Sequence, residues 1–203
     1  MGVTRKRTYA GCAATFLIFA LALCAPSLPA QAHFSAADAH PIGTPVAIIL
    51  EFGDQYLGGD ELYDAKITVL KVVRGEKAWG MIKAASASNP APKAGWDYVL
   101  ARVRFEFAAR TSPSHFNYAI DPSQFTAATA EGAEFDPPVL VEQLKPGLSG
   151  TIKPGDAMEG WLAFVVPHNL ERPLMIFRED VGEVSHRGGG TWFQLYEGSA
   201  ARR

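Results

Sequence analysis

The chain has 203 residues, of which 48% are hydrophobic and 20% are charged, and its formal net charge is −2. These values are ordinary for a globular domain and exclude a collagen-like or intrinsically disordered chain. The charge balance also excludes the strongly basic surface that binding to nucleic acid or anionic lipid would need.

Residues 1–32 have the three parts of a secretory signal peptide. The basic residues Arg5, Lys6 and Arg7 precede an apolar run over residues 12–24, and an A-x-A pattern ends at Ala32. Because the apolar run is shorter than the roughly 20 residues that span a bilayer, we predict cleavage after Ala32. The remaining chain then has a net charge of about −5, no transmembrane span, and a secreted or cell-envelope location.

Both cysteines, Cys12 and Cys24, lie inside this segment. A lipid-anchored bacterial protein would carry a small residue before the cysteine at its cleavage point, but Leu23 precedes Cys24. Anchoring as a lipoprotein at Cys24 is therefore disfavoured. Once the segment is removed, the chain holds no disulfide, thiolate metal site or cysteine nucleophile, and an exported chain without cysteine favours a bacterial source.

The rest of the chain divides by composition into three parts. Residues 33–44 predict a flexible leader without structure, residues 45–197 predict one domain, and residues 198–203 form a tail. Within the domain, β-rich runs with a period of two, separated by Gly and Pro turns, predict about eight strands. The runs are 46–52, 65–73, 98–107, 124–129, 133–135, 139–144, 158–166, 173–177 and 191–196.

The connection between the first two runs is rich in acids. Their spacing lacks the regular D-x-D-x-D-G pattern of a calcium loop, so a solvated hairpin is predicted instead. The acids are Glu51, Asp54, Asp60, Glu61 and Asp64.

A second connection, residues 76–95, is interpreted as a loop, because no segment of the chain keeps a helical period for longer than one turn. Trp79 and Trp96 stand near its two ends and are candidates for exposed contacts with a ligand. His115, in the polar segment 111–117, is a third candidate.

Two of the strands carry most of the fold prediction. In residues 98–107 the odd-numbered side chains from Val99 to Phe107 face the core, and Leu100, Arg102, Arg104 and Glu106 face outward. That outer row can be interpreted as an anion site or as a solvated face with cross-strand ion pairs, and the pairs are favoured. Residues 158–166 are apolar on both faces, which predicts a central strand that Pro167 ends. The whole pattern predicts an all-β, two-sheet antiparallel sandwich of one domain.

The order of these pieces resembles a known family. Residues 42–46, 65–73, the segment 89–95 leading into 98–107, and the closing stretch 153–167 are similar to the DUF4352, telokin-like family of exported bacterial immunoglobulin-like domains. The resemblance covers roughly residues 42–180 and departs from the family at Ala108-Ala109-Arg110, where an asparagine is often found. It implies an immunoglobulin-like β-sandwich of about 7–9 strands, secreted or surface-held, with no known catalytic residues.

No catalytic, nucleotide-binding or zinc-binding motif is present in the sequence. We therefore expect a non-catalytic binding or adaptor module without a cofactor, whose partner is an unknown protein or glycan. One alternative is a copper-binding protein or metal-dependent enzyme, since cleavage would make His33 the N-terminal residue. Its amine and imidazole could then chelate copper with help from another histidine, His40, His115, His168 or His186. Another alternative is a structural module of the cell envelope.

Overall fold

Two four-stranded antiparallel sheets dominate the structure, a computed structural model that describes residues 35–54, 59–110, 117–179 and 190–197. For residues 51–54 and 59–61 it describes the backbone alone. The described residues belong to one compact unit, His33–Arg203. The predicted signal peptide over residues 1–32, the tail 198–203, and the candidates His33 and His115 lie outside the described residues.

Ten strands and one α-helix make up the described fold, with short 3-10 turns at Ala36–Asp38 and Pro122–Gln124. In chain order they are β1 (Val46–Asp54), β2 (Gly59–Arg74), α1 (Glu76–Ala85), β3 (Trp96–Ala109), β4 (Tyr118–Ile120), β5 (Phe125–Ala128), β6 (Glu134–Phe135), β7 (Gly150–Ile152), β8 (Ala157–Pro167), β9 (Leu174–Phe177) and β10 (Thr191–Gln194).

The first sheet has the strand order β1-β2-β3-β8, and the second has the order β10-β9-β5-β6. β1 and β2 pair antiparallel down to Asp54 opposite Gly59, which confirms the predicted hairpin. β4 and β7 form a separate antiparallel pair. Neither of these two short strands was predicted, since three residues are too few to display a period.

The core lies between the two sheets. On β3 the side chains predicted to face inward, from Val99 to Phe107 at every second position, are all buried. They meet the second sheet directly, and the rings of Phe105 and Phe177 lie 6.0 Å apart edge to face. The prediction of an all-β antiparallel sandwich is confirmed.

The prediction of a loop over residues 76–95 is wrong for its first half, which is α1. Gly75 has a φ of +68°, a conformation that glycine adopts without strain, and it turns the chain from β2 into the helix. Ala78 and Ile82, four residues apart and hence on one helix face, are fully buried against the outer surface of the first sheet. Leu100 of β3 is therefore buried under the helix, and the prediction that it faces water is wrong.

β8 is an edge strand, and the prediction of a central position is wrong. It pairs along its length with β3, and a strap formed by residues 146–148 crosses its other edge. Trp161 N–H donates to the Pro146 carbonyl at 2.8 Å, and Leu148 N–H donates to the Trp161 carbonyl at 3.2 Å. The second face of β8 is apolar for another reason. Its side chains Trp161, Ala163 and Val165 pack against the buried cluster that includes Ala78 and Ile82 of α1.

Two further segments differ from prediction. Residues 139–144 do not form a strand. Residues 35–44, the described part of the predicted leader, are more structured than expected: His40 N–H donates to the Trp192 carbonyl at 2.9 Å, and the His40 carbonyl accepts from Gln194 N–H at 2.9 Å. These bonds attach the segment to the edge of β10, whose backbone groups would otherwise lack a partner.

Candidate functional site

A groove of about 530 Å³ lies on the outer surface of the first sheet, beside the helix. One wall is the loop before β3, with Pro90, Ala91, Pro92 and Lys93, and the other runs from Glu134 through Pro137 and Pro138 to Val139. Trp96, Tyr98 and Val165 lie between the walls. The volume is within the roughly 300–1,000 Å³ range of ligand pockets in proteins.

The base of the groove is aromatic. Trp96 is half-buried and meets the half-buried Phe135 edge to face, with ring centroids 5.8 Å apart and an interplanar angle of 88°. Tyr98 is buried, and its hydroxyl donates to the Pro90 carbonyl at 2.9 Å, which ties the first wall to the sheet. Burial raises the pKa of Tyr98, so its hydroxyl keeps its proton and this bond up to strongly alkaline pH.

Val139 and Val141 place apolar surface in water beside this base. Val139 is 87% exposed on the rim of the groove, and Val141 is 71% exposed two residues further along. Exposed single valines are ordinary, but Val139 lines the same groove as two half-buried aromatic rings and several prolines. An exposed apolar side chain grouped with such residues is typical of an interaction site.

The charged groups of the groove differ in their bonding. Glu134 accepts a two-pronged hydrogen bond from Arg178, at 2.9 Å and 2.6 Å. Asp136 and Lys93 are exposed on opposite walls, and neither has a side-chain partner among the described residues. Asp136 is therefore the carboxylate with which a ligand can pair.

Asn89 holds the second wall against the helix. Its side chain is buried; Nδ2 donates to the carbonyls of Ile82 and Glu142, both at 2.9 Å, and Oδ1 accepts from Glu142 N–H at 3.0 Å. These bonds satisfy both backbone groups of Glu142, within the segment predicted as a strand, without a strand partner.

A second cluster fixes the loop that leads into Trp96. Asp97 accepts from Arg74 Nε at 3.0 Å and from His168 Nδ1 at 3.1 Å. Arg74 also donates to the carbonyls of Pro167, His168 and Leu170, and His168 N–H donates to the Gly95 carbonyl at 2.8 Å. The loop before β3 and the turn after β8 are thereby joined.

The electrostatics of this cluster follow from its contacts. Burial alone would raise the pKa of Asp97, but the hydrogen bonds and charges of His168 and Arg74 outweigh it and hold that pKa below its ordinary value. The carboxylate is thus ionised throughout the neutral range. Asp97 bonds Arg74 and His168, which lies in the turn after β8, so the cluster holds the rim of the groove in place beside Trp96.

A second, smaller hollow of about 350 Å³ lies on the other side of the 139–145 segment, between Met81, Leu144 and Trp161.

Arg102 covers the Trp161 ring at 5.9 Å and bonds Glu159 at 2.5 Å. Arg104 bonds Glu106 at 2.9 Å, and Lys66 pairs with Glu106 as well. The predicted cross-strand ion pairs on this face are present.

The structure places the predicted site residues in different environments. Trp96 is half-buried and lines the groove. Trp79 lies on α1, not at a loop end, and its ring stacks on Tyr98 at 6.0 Å with an interplanar angle of 13°. The His40 ring lies 6.0 Å from Phe193. Among the described residues, no group of three or more His, Cys, Asp or Glu side chains could hold a metal ion.

Sequence reasoning missed Tyr98, Phe135, Asp136 and Val139 as groove residues. The sequence predicts Tyr98 at the start of one strand and Val139 at the start of another. The available signal was Pro137-Pro138 between Asp136 and Val139, since two adjacent prolines lack the N–H groups that a strand ladder requires and so argue against a strand at this place.

Comparison with known proteins gives one match. The family model described as "Domain of unknown function (DUF4352)" matches residues 61–185, more than half of the chain. No curated protein and no solved structure matches the chain significantly. Over the residues that the structure describes, no helix has the length and apolar character needed to cross a membrane. The matched residues include most of β2, the helix, the groove and the strand β8, and the chain belongs to the DUF4352 family.

Proposed function

We propose that the chain is a non-catalytic, secreted or cell-envelope binding module whose ligand docks in the groove between Pro90 and Val139. One observation carries the proposal: Val139, 87% exposed, lines the same groove as the half-buried rings of Trp96 and Phe135. Apolar surface of this kind gains free energy when a partner covers it, at roughly 25 cal/mol for each Å² removed from water.

The groove is also held in shape before a ligand arrives. The Tyr98 hydroxyl fixes one wall, Asn89 fixes the other, and Arg74 with Asp97 fixes the turn beside Trp96. A preformed site loses less conformational entropy on binding than a site that must order its loops. These three supports give a ligand a rigid groove to bind.

The test uses two matched valines. Val139→Asp places a carboxylate on the groove rim, whereas Val141→Asp makes the same change at a similarly exposed position outside the groove lining. Ligands are selected with the wild-type protein from a displayed peptide library and from a glycan array, and their affinities for both variants are measured.

We expect Val139→Asp to weaken the selected ligands by about tenfold or more, because its carboxylate would be desolvated without a partner. Val141→Asp should bind them as the wild type does. Equal affinity for all three proteins, or no ligand from either library, would contradict the proposal.

A further inference from the structure

We propose that the groove binds an extended, proline-containing peptide segment of a partner protein, and that a basic side chain of this segment pairs with Asp136. This inference rests on the proposed function and narrows it to one class of ligand. Three properties of the groove lead to it: the chemistry of its lining, the shape that its walls accept, and the state of its charges.

The lining offers aromatic rings and prolines and few neutral hydrogen-bonding side chains. Of its thirteen residues, three are charged and four are proline. The hydroxyl of Tyr98 is already committed to Pro90. Recognition of a sugar depends on side chains that hydrogen-bond its many hydroxyls, so this lining favours an apolar peptide over a glycan.

An extended proline-rich segment matches such a surface. In the polyproline II conformation it rises about 3.1 Å per residue with three residues per turn, and it makes no internal hydrogen bonds. It therefore presents proline rings to an aromatic groove without first breaking structure of its own, and little conformational entropy is lost on docking. Trp96 and Phe135 provide the rings, and Trp96 adds an indole N–H that can donate to a peptide carbonyl.

The charges give the segment a direction. Glu134 is occupied by Arg178, whereas Asp136 is exposed without a side-chain partner among the described residues. Lys93 stands on the opposite wall. A lysine or arginine of the ligand is attracted to the Asp136 wall and repelled from the Lys93 wall, so one orientation of the peptide is preferred.

The experiment uses the full-length chain and three synthetic peptides of ten residues. The first carries two prolines separated by two residues and one flanking arginine. The second replaces both prolines by alanine, and the third replaces the arginine by glutamate. Binding is measured by calorimetry with the wild type, Val139→Asp, Asp136→Lys and the control Asp156→Lys. Asp156 is exposed in the turn before β8, beside Phe107 at the far end of β3 from Trp96.

We expect saturable binding of the first peptide to the wild type and at least tenfold weaker binding of the alanine peptide. The glutamate peptide should bind the wild type about threefold more weakly, as an exposed ion pair predicts. Asp136→Lys should reverse that preference, while Asp156→Lys should leave it unchanged. If Val139→Asp no longer binds the first peptide, the binding site of that peptide lies in the groove.

The outcomes separate the inference from the proposed function. If the first peptide does not bind, but glycans bind the wild type and fail to bind Val139→Asp, the peptide inference is wrong and the binding groove stands. If the first peptide binds Val139→Asp as well as the wild type, it docks elsewhere and the inference is wrong. If neither peptides nor glycans bind the groove, both proposals fail.

Discussion

Gly160 lies where the strap of residues 146–148 crosses β8, and its replacement by alanine tests the account of that edge. A Cβ at position 160 would stand 2.3 Å from the Gly147 carbonyl carbon and 2.4 Å from Leu148 N. Both are backbone atoms, so no side-chain rotation relieves the contact and the strap must leave β8.

The expected loss follows from what the strap contributes. It makes two backbone hydrogen bonds to Trp161, worth roughly 1 kcal/mol each. It also carries the fully buried Leu148, whose exposure costs about 1.5–3 kcal/mol. The lower entropy of the unfolded alanine chain offsets about 0.4–1 kcal/mol. The free energy of unfolding should fall by about 2.5–4.5 kcal/mol, a large part of the roughly 5–15 kcal/mol typical of a domain.

Urea unfolding followed by fluorescence measures this loss. With a slope of about 1–3 kcal/mol per molar urea, the midpoint should move down by between about 0.8 and 4.5 M. The matched control is Gly80→Ala on α1, where a Cβ meets no atom within 4 Å and should raise stability by about 0.5–1 kcal/mol. A Gly160→Ala protein within about 1 kcal/mol of the wild type would refute the close approach described here.

Two further predictions concern the supports of the groove. The folded-state pKa of Asp97 is lowered, so its ion pairs stabilise the fold above the unfolded-state pKa of about 3.9, and this contribution is lost as pH falls through the lower folded value. In urea titrations Asp97→Asn should therefore be less stable than the wild type at pH 6, and the difference in stability should shrink toward pH 3. A difference that does not change with pH would contradict the stabilising role of the Asp97 ion pairs. Asn89→Ala should lower the free energy of unfolding by about 1–3 kcal/mol, because it leaves the Glu142 backbone unpaired in a part-buried position, and hydrogen exchange should rise at Glu142. The exposed Asn169→Ala should change neither measurement.

Much of the sandwich could be predicted because alternation reports burial directly. The odd residues of 99–107 are buried as expected, since successive side chains of a strand point to opposite faces. The same signal says nothing about what covers a face. β8 is apolar on both faces, and this pattern predicts a strand at the centre of a sheet. Its second face is apolar because it lies under a helix.

The helix itself was missed for a related reason. Ala78 and Ile82 are its two fully buried positions, and Gly80, a residue of low helix propensity, stands between them in a helix of only ten residues. The sheet surface at Leu100 supplies the stabilisation that local propensity does not.

The groove could be predicted only in part. Trp96 was named as a contact residue and lines the groove, but its neighbours Phe135 and Val139 come from a segment about forty residues further along the chain. Their meeting depends on Asn89, a buried side chain that bonds the backbone of Glu142 across the fold. Tertiary hydrogen bonds of this kind leave no periodic trace in a sequence.

The strap also determines how the molecule can meet copies of itself. Strand edges with unpaired backbone groups recruit further strands, and a sheet open on both sides can grow without limit. In the first sheet the strap occupies the middle of the β8 edge, so an added strand would have to join at β1. In the second sheet His40 bridges the β10 edge, and β6 is two residues long. A protein with such edges can form pairs at high local concentration, but its sheets cannot extend into a fibre without first giving up native contacts.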